Sequence, residues 1–166
     1  MSEIKKFSQL YDSAEDRMAW DTEDADGETT RLWLTRRMCQ GLAGAVVAML
    51  QKKEHAAAEH ESVLQAWEQV AAMAGFGKTA PVQPKPEMAV GLVTAVHMTP
   101  SANGVSMTFD FGAGEHRSIG LTYAAIRQTL SVMHRLYVAA GWPTDVWPDW
   151  VADPEASAAV PADSVN

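Results

Sequence analysis

The chain is poor in cysteine. Cys39 is the single thiol among 166 residues, which excludes an internal disulfide and fits a reducing compartment. No apolar run reaches the roughly 18 residues that a membrane-spanning helix needs. The opening stretch MSEIKKFSQLYDSAED lacks the apolar core of a secretory signal, so a cytoplasmic location is expected. Basic charge is also scarce. Lys and Arg number 13 against 21 Asp and Glu, giving a net charge of −8, and residues 142–166 hold five acids and no base. Such a chain repels phosphate backbones as a whole, which argues against nucleic acid as the main partner. No Gly-rich dinucleotide fingerprint and no Ser-centred nucleophile elbow occur. What is present, 47% apolar and 20% charged residues, suits a globular fold that buries its core without staples.

The chain repeats itself. GETTRLWLT at 27–35 is answered by GEHRSIGLT at 114–122, an offset of 87 residues. Extended backwards, DRMAWDTEDADGE (16–28) lies over NGVSMTFDFGAGE (103–115) without a gap. Asn103-Gly104 between extended runs is a hairpin signal. Val105, Met107, Phe109 and Phe111 alternate with Ser106, Thr108 and Asp110, the pattern of a half-buried antiparallel strand. The turns DADGE and GAGE lead into third strands with Leu32 and Leu34, or Ile119 and Leu121, facing inward. Thr35 and Thr122 then stand as N-caps of amphipathic helices, marked by Met38, Leu42, Val46 and Met49 and by Ile126, Leu130, Met133 and Tyr137.

Between the repeats, residues 54–75 read as a further helix with Val63, Trp67, Val70 and Ala74 on one side, and KTAPVQPKPE (78–87) is a linker whose prolines stop it. The expected class is α+β: two antiparallel three-strand meander plus helix units, at about 4–51 and 89–141, with the helix and Pro-rich linker 54–88 between them. Residues 1–141 then form one pseudo-duplicated domain, and 142–166 a Trp- and Pro-containing acidic tail, partly disordered over its last dozen residues.

Candidate chemistry is thin. AMAGFGKT (72–79) satisfies a relaxed phosphate-loop pattern, but it follows a helix and runs into prolines, so it reads as a Gly-rich helix stop. EDRMAWDTEDADGE (15–28) holds seven acids in fourteen residues, yet a calcium loop aligned on Gly27 would begin at Thr22 and close on Trp33. His55 and His60 point about 140° apart on a helix, unlike a zinc-binding i, i+4 pair. Cys39 reads as a small core residue and His134 as a helix-surface residue. No catalytic, metal or cofactor residue is therefore expected. Trp142, Trp147 and Trp150 in the tail either pack on the domain or anchor in a partner's groove.

The element order resembles the head domain of the scaffold superfamily that includes DNA end-joining factors and centriole cartwheel proteins: a meander, a helical insertion, a second meander and a helix. The similarity covers about residues 4–140 and carries over no functional residue. In those families the last helix continues into a dimerising coiled coil, whereas here the pattern ends at Gly141-Trp142-Pro143. The plan is also similar to single-strand nucleic-acid-binding proteins of the Pur-alpha type, whose sheets are basic and aromatic. The expected function is a non-enzymatic interaction or scaffold module that forms a homodimer through Val63, Trp67 and Val70 and takes a protein partner at Trp142, Trp147 and Trp150. The alternative is single-strand binding through Arg31, Trp33, Arg36 and Arg37.

Overall fold

A computed structural model describes residues 2–54 and 58–159. Its elements run β1 (Ser2–Asp12), β2 (Arg17–Asp24), β3 (Thr29–Leu34), α1 (Arg36–Glu54), α2 (Ala58–Ala74), β4 (Ala89–Pro100), β5 (Gly104–Phe111), β6 (Glu115–Thr122), α3 (Tyr123–Ala140), α4 (Asp149–Ala152) and α5 (Pro154–Ala158). The α+β class holds, and each half is an antiparallel meander followed by a helix. The two meanders are not separate, however. Parallel pairing of β3 with β4 and of β6 with β1 closes all six strands into one barrel. A three-strand meander leaves two rows of unpaired N–H and C=O groups, and joining edge to edge pairs four positions at one seam and two at the other.

The offset of 87 survives in the ladders. Trp20 lies opposite Leu32 as Met107 lies opposite Ile119. The Thr35 hydroxyl accepts the Met38 N–H at 3.1 Å, and the Thr122 hydroxyl accepts the Ala125 N–H at 3.1 Å. Both first strands carry a bulge opposite matching positions of the second strand: Ile4 and Lys6 in β1 face Asp24 and Glu23, and Val93 and Ala95 in β4 face Phe111 and Asp110. At the Asn103-Gly104 hairpin, a Cβ on Gly104 would sit 2.1 Å from the Leu121 carbonyl oxygen, so only glycine fits.

The inward strand faces fill the barrel, with Phe7 stacked on Trp20 (4.8 Å between ring centres) and Trp20 tilted against Phe109 (5.1 Å). From α3 the expected Ile126, Leu130, Met133 and Tyr137 are all buried. In α1 the buried stripe is rotated: Leu42 and Val46 are joined by Cys39, Ala43, Val47 and Leu50, while Met38 and Met49 are half-buried.

In α2 the side marked by Val63, Trp67, Val70 and Ala74 is not the one that packs on the domain. Trp67 and Ala74 are exposed, and the buried face is Gln65, Ala66, Gln69 and Ala72. The reason is Arg127, buried on α3. Its guanidinium donates to Gln65 Oε1 (2.6 Å) and Gln69 Oε1 (3.4 Å), while Gln69 Nε2 donates back to the Arg127 carbonyl (2.8 Å). A buried cation needs acceptors, and glutamines supply them where an apolar stripe could not.

Residues 142–159 pack back on the domain. Trp142, Trp147 and Trp150 are buried, and the Tyr137 ring meets Trp142 and Trp147 edge-on, each at 5.1 Å. The tail includes the short helices α4 and α5, and all of α5 but Pro154 falls within the last dozen residues expected to be disordered. The expectation of disorder falls otherwise on 160–166, which lie outside the described residues, as does His55. Among the described residues no helix is long and apolar enough to cross a membrane.

Candidate functional site

The two parallel seams of the barrel differ. β3 pairs with β4 from Thr30 to Trp33, against Ala89 to Leu92. β6 pairs with β1 only at Arg117 and Ser118, against Ser2 and Glu3. Ile119 and Gly120, the counterparts of Leu32 and Trp33, have no ladder partner on β1, although β6 runs on to Thr122 and β1 to Asp12. In both seams the ladder stops where the bulge begins, after Leu92 in β4 and after Glu3 in β1. Four residues of β4 precede its bulge at the seam, and only Ser2 and Glu3 precede that of β1 among the described residues.

The half-open seam forms a groove of about 880 Å³. Its walls are β1 from Glu3 to Gln9 and β6 from Ile119 to Leu121, and its floor is α3 at Ala125, Gln128, Thr129 and Val132. The segment leaving α2, Phe76 to Pro81, forms the rim. That segment is tied to the barrel: the Val82 N–H donates to the Ser8 hydroxyl (2.7 Å), Lys6 Nζ to the Pro81 carbonyl (3.3 Å) and the Lys85 N–H to the Thr29 hydroxyl (3.3 Å). Prolines 81, 84 and 86 keep it extended, because none can continue a helix.

In a chain of net charge −8 this groove is cationic: Lys5, Lys6 and Lys78 line it against the single acid Glu3, which Lys5 meets at 2.7 Å. Phe7, Ile119, Leu121 and Val132 supply apolar wall and floor, and Phe76 stands 46% exposed at the rim. Gln9 Nε2 donates to the Thr129 carbonyl (3.3 Å), but Gln9 Oε1 is buried with no hydrogen-bond partner among the described residues. Gly120 is exposed, and a Cβ built there meets nothing within 4 Å. The equivalent groove at the other seam is smaller, about 400 Å³, and is lined by Met38, Leu42 and Ala45 of α1 with Val96 and Met98 of β4.

The residues singled out from sequence are placed elsewhere. Trp142, Trp147 and Trp150 sit in the core and hold the tail down. Val63 and Val70 are half-buried, and the exposed Trp67 donates its indole N–H to the Ala158 carbonyl (3.1 Å). Arg31 makes two bonds to the buried Asp21 carboxylate (2.6 and 2.7 Å) and lies over the half-buried Trp33 ring, so its charge is already met. Arg36 and Arg37 are exposed in the first turn of α1. The acidic run is likewise committed to the fold. Asp16 Oδ1 accepts both the Trp142 indole N–H (2.8 Å) and the Tyr11 hydroxyl (2.7 Å), and these bonds hold its carboxyl below the usual range. Asp24 accepts from the Asp26 and Glu28 N–H groups and from the Ser2 hydroxyl. Burial pushes the Cys39 thiol up to about 12, and burial lowers His134, which packs edge-on against Trp147. Among the described residues no three His, Cys, Asp or Glu side chains converge as metal ligands.

Sequence reasoning passed over the groove. The one signal was the Gly77-Lys78-Thr79 stretch, set aside as a phosphate loop, which the structure places on the groove rim. No protein-family model, curated protein or solved structure matches the chain, so the groove is read from its own geometry.

Proposed function

We propose that this protein is a non-enzymatic interaction module that captures a segment of a partner protein in the half-open β1–β6 seam. One observation carries the reading. A barrel that could be zipped along both seams leaves Ile119 and Gly120 without a ladder partner, and it does so over a helix floor beside a tethered rim. Unpaired strand edges are templates for a further strand, and folds normally blunt or cover them. The carboxylates gathered at 15–28 support the non-enzymatic part, since Asp16, Asp21 and Asp24 each hold hydrogen bonds that the fold needs.

Selection from a displayed library of random peptides against the whole chain tests this. Peptides that bind the protein and lose binding to the Gly120→Trp variant, whose indole would fill the groove from an open position, are the expected result. An empty selection, or peptides indifferent to that substitution, would sink the reading. Self-association through Val63, Trp67 and Val70 is a further part of the proposal, on the support that Trp67 is 52% exposed. Light scattering should find a dimer for the full chain and a monomer for Trp67→Glu; a monomer for both overturns it.

A further inference from the structure

We infer that the groove takes an extended acidic segment, which inserts as a strand between β1 and β6. This rests on the interaction reading above and names the chemistry of the partner. The two walls are strands that run parallel to each other. A strand placed between them is therefore parallel to both or antiparallel to both, and the antiparallel arrangement makes the stronger ladder. Residues Ile119–Thr122 offer four positions, a length of roughly 13 Å of strand.

Side chains of an inserted strand alternate between two sides. One set would meet the floor at Ala125, Thr129 and Val132, where small or aliphatic groups fit. The other set would meet the cationic lining. Lys5, Lys6 and Lys78 face one Glu3 there, a net positive lining in a protein that as a whole carries −8. Charge complementarity of that kind selects partners and speeds their approach.

The experiment uses the full chain and three probes by calorimetry: a blocked heptapeptide alternating Glu and Val, its Lys–Val counterpart, and an oligothymidylate. The Glu–Val peptide is expected to bind at least about tenfold more tightly than the Lys–Val peptide, with affinity that falls as salt rises. Gly120→Trp should abolish binding, and the surface double change Lys5→Glu with Lys78→Glu should reverse the preference between peptides. The second variant keeps the test sound if the tryptophan disturbs the barrel. Equal or tighter binding of the Lys–Val peptide overturns the acidic preference while leaving the groove as a peptide site. Failure of both peptides, with library selection also empty, removes the interaction reading itself. Oligothymidylate bound in place of the peptides, and lost with Gly120→Trp, would overturn the inference in favour of a nucleic acid.

Discussion

At the residue scale, Asp16 shows how the acidic run is used. It has a positive φ of 48°, a conformation that Asp and Asn tolerate better than most residues. Its one oxygen Oδ1 ties the β1–β2 turn to Trp142 and Tyr11. The indole and phenol donors favour the charged carboxylate, so its pKa is lowered on folding. A depressed carboxyl contributes stability above its unfolded pKa and loses it as pH falls through the folded value. Tail docking should therefore weaken in acid, below the ordinary Asp range. Asp16→Asn keeps the acceptor and the backbone geometry but removes the charge, so its stability should fall less steeply on the acid side. Tryptophan fluorescence against pH for the two proteins would show this, and parallel acid limbs would refute it. Cys39 gives a second residue-scale expectation. With its thiol pushed up to about 12 by burial, it should resist iodoacetamide at neutral pH in the native state and react once unfolded.

At the element scale, the two halves give matched tests. Thr35→Ala and Thr122→Ala each remove one cap bond of the same length, and each should cost about 1 kcal/mol in urea denaturation. The α2–α3 contact is harsher. Arg127→Met leaves the Gln65 and Gln69 side chains without their guanidinium donor and should cost about 3 kcal/mol, with much of it recovered when both glutamines become Leu. If the single change costs less than a cap, the network does not hold α2 in place. These elements also mark where sequence is informative. Strands, caps and the α3 stripe could be read because their signal is local, a period of two or of three to four with Thr at the boundary. The α2 face could not, since Gln65 and Gln69 are inward only because Arg127, some sixty positions on, is buried against them. Trp67 lies away from that face, its indole N–H donating to the Ala158 carbonyl near the far end of the described chain.

At the scale of the whole molecule, closure depends on pairings between residues far apart in sequence. Repetition at an offset of 87 implied two like units, but nothing local in Thr30–Trp33 or Ala89–Leu92 announces that they pair in parallel. The groove was hidden for the same reason, because it is a difference between two seams that sequence alone makes look equivalent. That difference has a dynamic consequence. Amides of Ile119–Leu121 that point away from β5 meet no strand, whereas those of Leu32 and Trp33 lie within the closed seam. Exchange of a backbone amide is slowed by hydrogen bonding and by the cost of opening it. Residue-resolved hydrogen exchange should find the outward amides of Ile119–Leu121 fast and those at the β3–β4 seam slow, although both belong to one barrel. Adding the Glu–Val peptide should bring the fast set toward the slow one and leave the β3–β4 seam unchanged. Protection of Ile119–Leu121 before any peptide is added would mean that the seam is closed in solution, and the groove would lose its claim to be the binding site.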